Sequence, residues 1–226
     1  MIVAIHQPNY LPYIGFFNKM RNADVFIIYD DAQFSKRDFH HRNKIRTING
    51  WNWLFVPVGN EKKPINEVKI KNDVRLGGLI WSKYHWKQIQ TNYAKAEFFC
   101  SYAGDLEKIY SAPYERIIDL NVNLIKFLMS SFGIETEIVH SSIFEITTHS
   151  SQKILDLVKA VHGDTYLSGS GGHNYMDLSL FEKHEIKVNF QNFQHPVYKQ
   201  NFPGFFANMA AIDLLFNVGE KSQNLV

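Results

Sequence analysis

The sequence predicts an α/β protein, with a mostly parallel sheet, flanking helices and a helical middle section. Three observations predict it. The first thirty or so residues read strand, helix, strand; the last third repeats that rhythm; and the aromatic stretch between them carries helical periodicity. A strand–helix–strand unit of this length favours a parallel pair, because the helix returns the chain to the same end of the sheet. Open parallel sheets bind ligands outside the carboxyl ends of their strands, so the turns that follow each strand are the places to look for function.

The elements follow in order. Ile2–Ile5 is a short apolar run, read as a buried strand. Residues 11–22 place Leu11, Ile14, Phe17 and Met20 at helical spacing, with Pro12 in the first turn, where a missing N–H is not needed. The run DVFIIYDD, residues 24–31, is a second apolar strand ending in paired carboxylates. After a basic stretch, WNWLFVPVG (51–59) reads as a strand turning at Gly59, and KKPINEVKI (62–70) as a loop with an edge strand. From Gly78 to about Tyr110 the chain is aromatic and helical, and Pro113 stops it. Residues 114–134 carry the broad apolar stripe of a well-buried helix, closed by Gly133. SQKILDLVKAVHG (151–163) is an amphipathic helix with a serine pair, Ser150 and Ser151, placed to cap its start. DTYLSGSGGHNYM is a strand running into a glycine-rich turn, DLSLFEKHEI a helix, KVNFQNF a strand, and FFANMAAIDLLFNVG a closing helix with a glycine stop. No repeat, low-complexity tract or linker interrupts the pattern. Residues 1–226 therefore read as a single α/β domain with a mainly helical segment at about 78–131.

Composition narrows the class. With 226 residues, 45% of them apolar and 15% aromatic, the chain can bury a substantial core. A net charge of +2 gives no global case for polymeric nucleic acid, so any electrostatic argument is local. The single cysteine, Cys100, excludes a disulfide framework, fits a reducing compartment and reads as a small buried hydrophobe. No stretch reaches the roughly 20 apolar residues that cross a bilayer, and no leader pattern follows Met1. The expectation is a cytoplasmic protein without a membrane span, and homo-oligomerisation is left open.

Four segments could carry chemistry. The first is HQPNY after the opening strand, which sets His6, Gln7, Asn9 and Tyr10 on one turn. It resembles the nucleotidylyl-transferase signature, in which two histidines contact phosphates, except that Phe16 follows Gly15 where the second histidine belongs. The helix that follows offers free N–H groups to a phosphate. The second is Asp30–Trp51, where Gln33, Lys36, Arg37, Arg42, Asn43, Lys44 and Arg46 follow the Asp30–Asp31 pair. The cations can clamp a diphosphate, and an aspartate can act as base, hold a ribose hydroxyl or ligate a divalent ion. No histidine–carboxylate spacing of a metal site is present, and no metal is expected. The third is the glycine-rich turn with Ser168, Gly169, Gly171, Gly172, Asn174 and Tyr175, whose backbone can approach a phosphate closely. It is neither a P-loop nor the dinucleotide fingerprint. The fourth is FQHPVYKQNFPGFF, with His195, Tyr198 and Gln200, a lid or ligand-stacking loop.

These segments together resemble the WbqC-like family, found among genes for bacterial O-antigen and other surface polysaccharides. The matching pieces are AIHQPNYLPYIGFF, ADVFIIYDDAQFSKRDFHHRNKIRT, NGWNWLFVPV, YLSGSGGHNYMD, HPVYKQ and AIDLLFNVG, spread over essentially the whole chain. One departure stands before the terminal IDLLFN, where the family carries a small hydroxyl residue and this chain has Met209-Ala210-Ala211. The resemblance implies enzymes acting on sugars during lipopolysaccharide assembly, labelled transferases or glycosyltransferases.

Three functional readings result. The first is a transferase that modifies a nucleotide-linked amino sugar by forming an amide with an acyl or aminoacyl group. His6 is its general base, Asn9 or a glycine-loop N–H steadies the oxyanion, Asp31 serves as a second catalytic group, and the other residues named bind substrate. Its only implied co-substrate is an activated acyl or aminoacyl donor. The second is a glycosyltransferase using a nucleotide-sugar donor. The third is a non-catalytic protein that holds a sugar intermediate.

Overall fold

The structure, a computed structural model, describes residues 1–59, 62–174 and 176–226. In chain order the elements are β1 (Ile2–His6), α1 (Ile14–Arg21), β2 (Val25–Ile28), β3 (Arg42–Thr47), β4 (Gly50–Phe55), β5 (Arg75–Leu76) and β6 (Leu79–Ile80). Then follow α2 (Trp81–Tyr93), α3 (Phe99–Ser111), α4 (Ile117–Ser131), β7 (Glu137–His140), α5 (Ser150–Ala160), β8 (Thr165–Ser168), α6 (Leu178–Lys183), β9 (Lys187–Phe190) and α7 (Ile212–Val218). Five strands form one parallel sheet in the order β7-β2-β1-β8-β9, while β3–β4 and β5–β6 are antiparallel pairs. The fold is α/β, and α2, α3 and α4 fill the helical middle section.

Contacts divide the chain into two compact units. The first comprises Met1–Gln7, Gly15–Ala32 and Ile134–Gln194, and contains the parallel sheet. Its central strands are apolar on both faces, as parallel strands covered by helices must be. All four residues of β2 are buried, whereas the edge strands β7 and β9 are only partly so. Val3, Ile5, Val25 and Ile27 of the sheet pack with Leu155, Leu157 and Val158 of α5 and with Phe181 of α6. Each such side chain contributes roughly 1.5–3 kcal/mol by leaving water. Strand order reverses at β1: the chain builds outward through β2 and β7 on one side, then through β8 and β9 on the other.

The second unit comprises Pro8–Ile14, Gln33–Gly133 and His195–Val226. It holds the β3–β4 hairpin, the helices α2, α3, α4 and α7, and the β5–β6 pair. Arg46 is its largest fully buried side chain. The guanidinium donates to the carbonyls of Thr47, Gly50 and Pro203 and to Gln200 Oε1, so it ties the hairpin to residues 200–203.

Several elements differ from the sequence expectation. The basic stretch is a strand, β3, whose Asn43 and Ile45 turn inward while Arg42 and Lys44 lie over Trp53 and Trp51 at 4.8 and 5.2 Å. β7, absent from the sequence reading, pairs with β2. α1 begins at Ile14 because Leu11 has a φ of 44°, which no right-handed helix admits, and Asn43 Nδ2 holds the Leu11 carbonyl at 2.6 Å. The serine pair does not cap α5: its N-cap makes no side-chain hydrogen bond, and Ser151 Oγ instead accepts from the Asp177 N–H. Residues 62–70 form a 3-10 turn (Ile65–Glu67) and single bridges rather than an edge strand. The last helix begins only at Ile212. Cys100 is exposed, because α3 buries the stripe Phe99, Leu106 and Tyr110 and Cys100 is turned off it.

Candidate functional site

A cavity of about 480 Å³ lies in the first unit at the carboxyl ends of β1 and β8, where the strand order reverses. This is the switch-point crevice at which open α/β sheets bind ligands, and the volume suits a small molecule. Its origin is visible in the register. The β1–β8 ladder stops at Ala4–Leu167, while the β1–β2 ladder continues to His6–Ile28. β1 and β8 therefore part after Ala4, and Ile5, His6 and Gln7 line the opening on the β1 side. Gly169, Gly171 and Gly172 line it on the β8 side.

The glycines serve different needs. A Cβ on Gly169 or Gly171 meets open space, so these two leave the backbone accessible. A Cβ on Gly172 would lie 2.1 Å from Ser168 Oγ and 3.2 Å from Phe190, so this glycine is required by the packing of the turn. Ser168 itself is buried with its hydroxyl on the Gly169 carbonyl, and Asn174 is exposed; neither lines the cavity. Tyr175 lies outside the described residues.

His6 sits edge-on against Phe16, with Nδ1 2.8 Å from the Gln7 carbonyl. A carbonyl only accepts, so Nδ1 carries the hydrogen, and Nε2 is the ring nitrogen through which that tautomer exchanges a proton.

Lys19 of α1 was not among the sequence candidates for the site, and neither were Tyr29, Ser150, Ile154 and Tyr166 of the same lining. Lys19 is 3% exposed, and its ammonium donates to the Ile5 carbonyl at 2.7 Å. Burial pulls its pKa down to about 7. The signal available in the sequence was a lysine between the apolar residues Phe17 and Met20 of the first helix.

The paired aspartates belong to the first unit and are committed to protein donors. Asp30 Oδ1 accepts from Ser141 Oγ and the Ser142 N–H, both at 3.0 Å, and Oδ2 accepts from His140 Nδ1 and Ser142 Oγ, both at 2.9 Å. Asp31 pairs with Lys153 at 2.6 Å and shares the single Ser141 hydroxyl hydrogen with Asp30, its Oδ1 lying 2.5 Å from Ser141 Oγ. Neither lines the cavity. Among the described residues no three His, Cys, Asp or Glu side chains are grouped to hold a metal ion.

The remaining sequence candidates lie in the second unit. The HQPNY turn is divided, for the chain leaves the first unit after Gln7. Tyr10 is fully buried, its hydroxyl bonded to His85 Nδ1 at 2.8 Å and to Tyr110 at 2.5 Å. Asn9 is buried as well. Asn43 spends its amide on Leu11 and the Lys44 N–H. Gln33, Lys36 and Arg37 are exposed, and Arg42 and Lys44 stack on the hairpin tryptophans. His195 donates from Nδ1 to the Pro196 carbonyl and accepts the Asn208 N–H on Nε2, so both ring nitrogens are engaged. Tyr198 and Gln200 donate to buried Asp213, as does Tyr93. Met209, Ala210 and Ala211, at the place of the family's hydroxyl residue, are core, and Ala211 N–H bonds the Pro12 carbonyl.

Fold and geometry thus define an α/β protein with a cavity at the switch point of its parallel sheet. Residues 7–225 match the model of the WbqC-like protein family, and the chain belongs to that family. It is also similar to the Mycobacterium tuberculosis "Uncharacterized protein Rv1507c", 34% identical over 222 residues, which covers 97% of this chain and 95% of the relative. No solved structure matches the chain. No helix among the described residues is long and apolar enough to cross a membrane.

Proposed function

We propose that the protein is a transferase of surface-polysaccharide biosynthesis that joins an acyl or aminoacyl group to the amine of a nucleotide-linked amino sugar. One observation carries the reading: His6 lines the switch-point cavity, with its Nδ1 hydrogen directed to the Gln7 carbonyl. In the reaction the sugar amine attacks the donor carbonyl carbon and forms the C–N bond. The amine proton passes to His6 Nε2, and the donor's leaving group departs with the electrons of its broken bond. The accessible backbone at Gly169 and Gly171 is suited to a phosphate or to the oxyanion. A glycosyltransferase reading leans on the Asp30–Asp31 pair, and those carboxylates are already bonded within the protein.

The test begins with a thermal-shift screen of nucleotide sugars, since a ligand bound only by the folded state raises the melting temperature. An amino-sugar nucleotide should shift it more than its hydroxyl counterpart. With that substrate and an activated acyl donor, His6→Ala should lose about 10²–10⁴-fold in turnover while keeping the thermal shift. Near-wild-type turnover in the variant would remove His6 from the mechanism. Release of free nucleoside diphosphate would replace amide formation with glycosyl transfer.

A further inference from the structure

We propose that Lys19 is the recognition group for an anionic substituent, a phosphate or a carboxylate, of the molecule that occupies the switch-point cavity. The inference rests on that cavity being a ligand site, as the proposed function does, but not on any reaction.

The argument starts from where the ammonium lies. In a parallel ladder the carbonyls of successive residues point to alternate neighbours. His6 O accepts from the Tyr29 N–H on the β2 side, so Ile5 O faces β8. There the ladder has already ended at Ala4–Leu167. Lys19 Nζ takes the place of the missing strand partner, 2.7 Å from Ile5 O and 6.0 Å from the centre of the Tyr166 ring. The ammonium therefore sits in the gap between the two strands whose separation makes the cavity.

Its bonding is incomplete. An ammonium has three N–H donors, and one hydrogen bond, to Ile5 O, satisfies one of them. The side chain is 3% exposed, so bulk water does little for the others. Burying a cation with one neutral acceptor and no counter-ion is costly. Elsewhere in this unit the cost is met: Lys153, also buried, is paired with Asp31. Around Lys19 the titratable groups on the lining are His6 of β1, Tyr29 after β2 and Tyr166 of β8. No carboxylate lines the cavity among the described residues, and Lys19 is its only Lys or Arg. A ligand anion supplies the missing partner, and the open backbone at Gly169 and Gly171 admits it on the other side. A pKa lowered to about 7 adds a consequence: an anion beside Lys19 restores the charged form, so the protein takes up a proton as the ligand binds above neutral pH.

The full-length chain is titrated calorimetrically with pyrophosphate, with acetate and with a neutral hexosamine, as wild type, Lys19→Met and Lys19→Arg. Pyrophosphate binding with little acetate binding identifies a phosphate site, and the reverse a carboxylate site. In either case Lys19→Met should weaken the preferred anion about tenfold or more, and Lys19→Arg should weaken it less. The second measurement is the ¹³Cε titration of Lys19 in wild-type protein with and without the anion that binds, acetate itself for a carboxylate site and sulfate in place of phosphate, neither of which titrates in this range. That anion should raise the Lys19 pKa. Unchanged anion affinity in Lys19→Met overturns the proposal, and so does a wild-type titration that the anion leaves in place. That readout stands even if the variants fail to fold. Anion binding lost with Lys19, in a protein that forms no amide, upholds this inference and defeats the proposed reaction.

Discussion

Burial pushes the Asp30 carboxyl toward its neutral form, and the hydrogen bonds from His140 and Ser142 outweigh that push and hold its pKa below the usual carboxylate value. The residue is a clamp between the end of β2 and the turn after β7. Asp30→Ala strands the Ser142 hydroxyl, the Ser142 N–H and a histidine donor, and should cost about 3 kcal/mol in urea unfolding at neutral pH. The unfolded chain binds the proton first as pH falls. Asp30's contribution is thus complete above its unfolded pKa and lost as pH falls through the folded one, and the deficit of the variant should shrink there. Lys19 behaves in the opposite sense. Its folded pKa of about 7 lies below the unfolded value, so above about pH 7 the unfolded chain binds more protons and stability rises with pH. Lys19→Met lacks this slope. Its stability relative to wild type should fall steadily between about pH 7 and 10, and parallel curves for the two proteins would contradict a buried, unpaired ammonium.

At the scale of elements, the turn after β8 is where packing and site meet. Gly172→Ala forces a methyl onto Ser168 Oγ and against Phe190, and should destabilise by about 1–3 kcal/mol. Gly169→Ala and Gly171→Ala meet no atom within contact distance and have no positive φ, so they should leave thermal stability nearly unchanged. Equal losses in all three would mean that the turn is held by backbone freedom rather than by the fit of one glycine. β3 shows how an element can hide in composition. Its cations read as a clamp for a diphosphate, yet Asn43, Ile45 and Arg46 are buried, and the register opposes Lys44 to Trp53 and Arg46 to Trp51. Cations stacked on tryptophan rings satisfy a strand as well as a loop.

At the scale of the molecule, the parallel sheet draws β1 and β2 from the start of the chain and β7, β8 and β9 from after Gly133. A chain ending at Gly133 keeps two of five strands and loses α5 and α6, which cover the apolar face. It should lack cooperative unfolding of the first unit, and mixing with residues 134–226 should restore it if the halves associate. A truncated chain showing native amide dispersion for β1 and β2 would refute this dependence.

The sequence by itself determined the α/β class, β1, β2, β8 and β9, the buried α4, the glycine turn and the family. These depend on hydrophobic period, turn chemistry and contiguous motifs, which act between near neighbours. It also supplied five cavity residues, His6, Gln7, Gly169, Gly171 and Gly172, because each follows a recognisable strand. Only the tertiary structure decided that β1 lies beside β8, some 160 residues away, that β7 joins the sheet, and that HQPNY is shared between two units. It alone showed Asp30 saturated by a turn more than a hundred residues distant and Lys19 buried without a counter-ion among the described residues. Strand order and the environment of a buried charge are set by partners remote in sequence, and no local pattern encodes them.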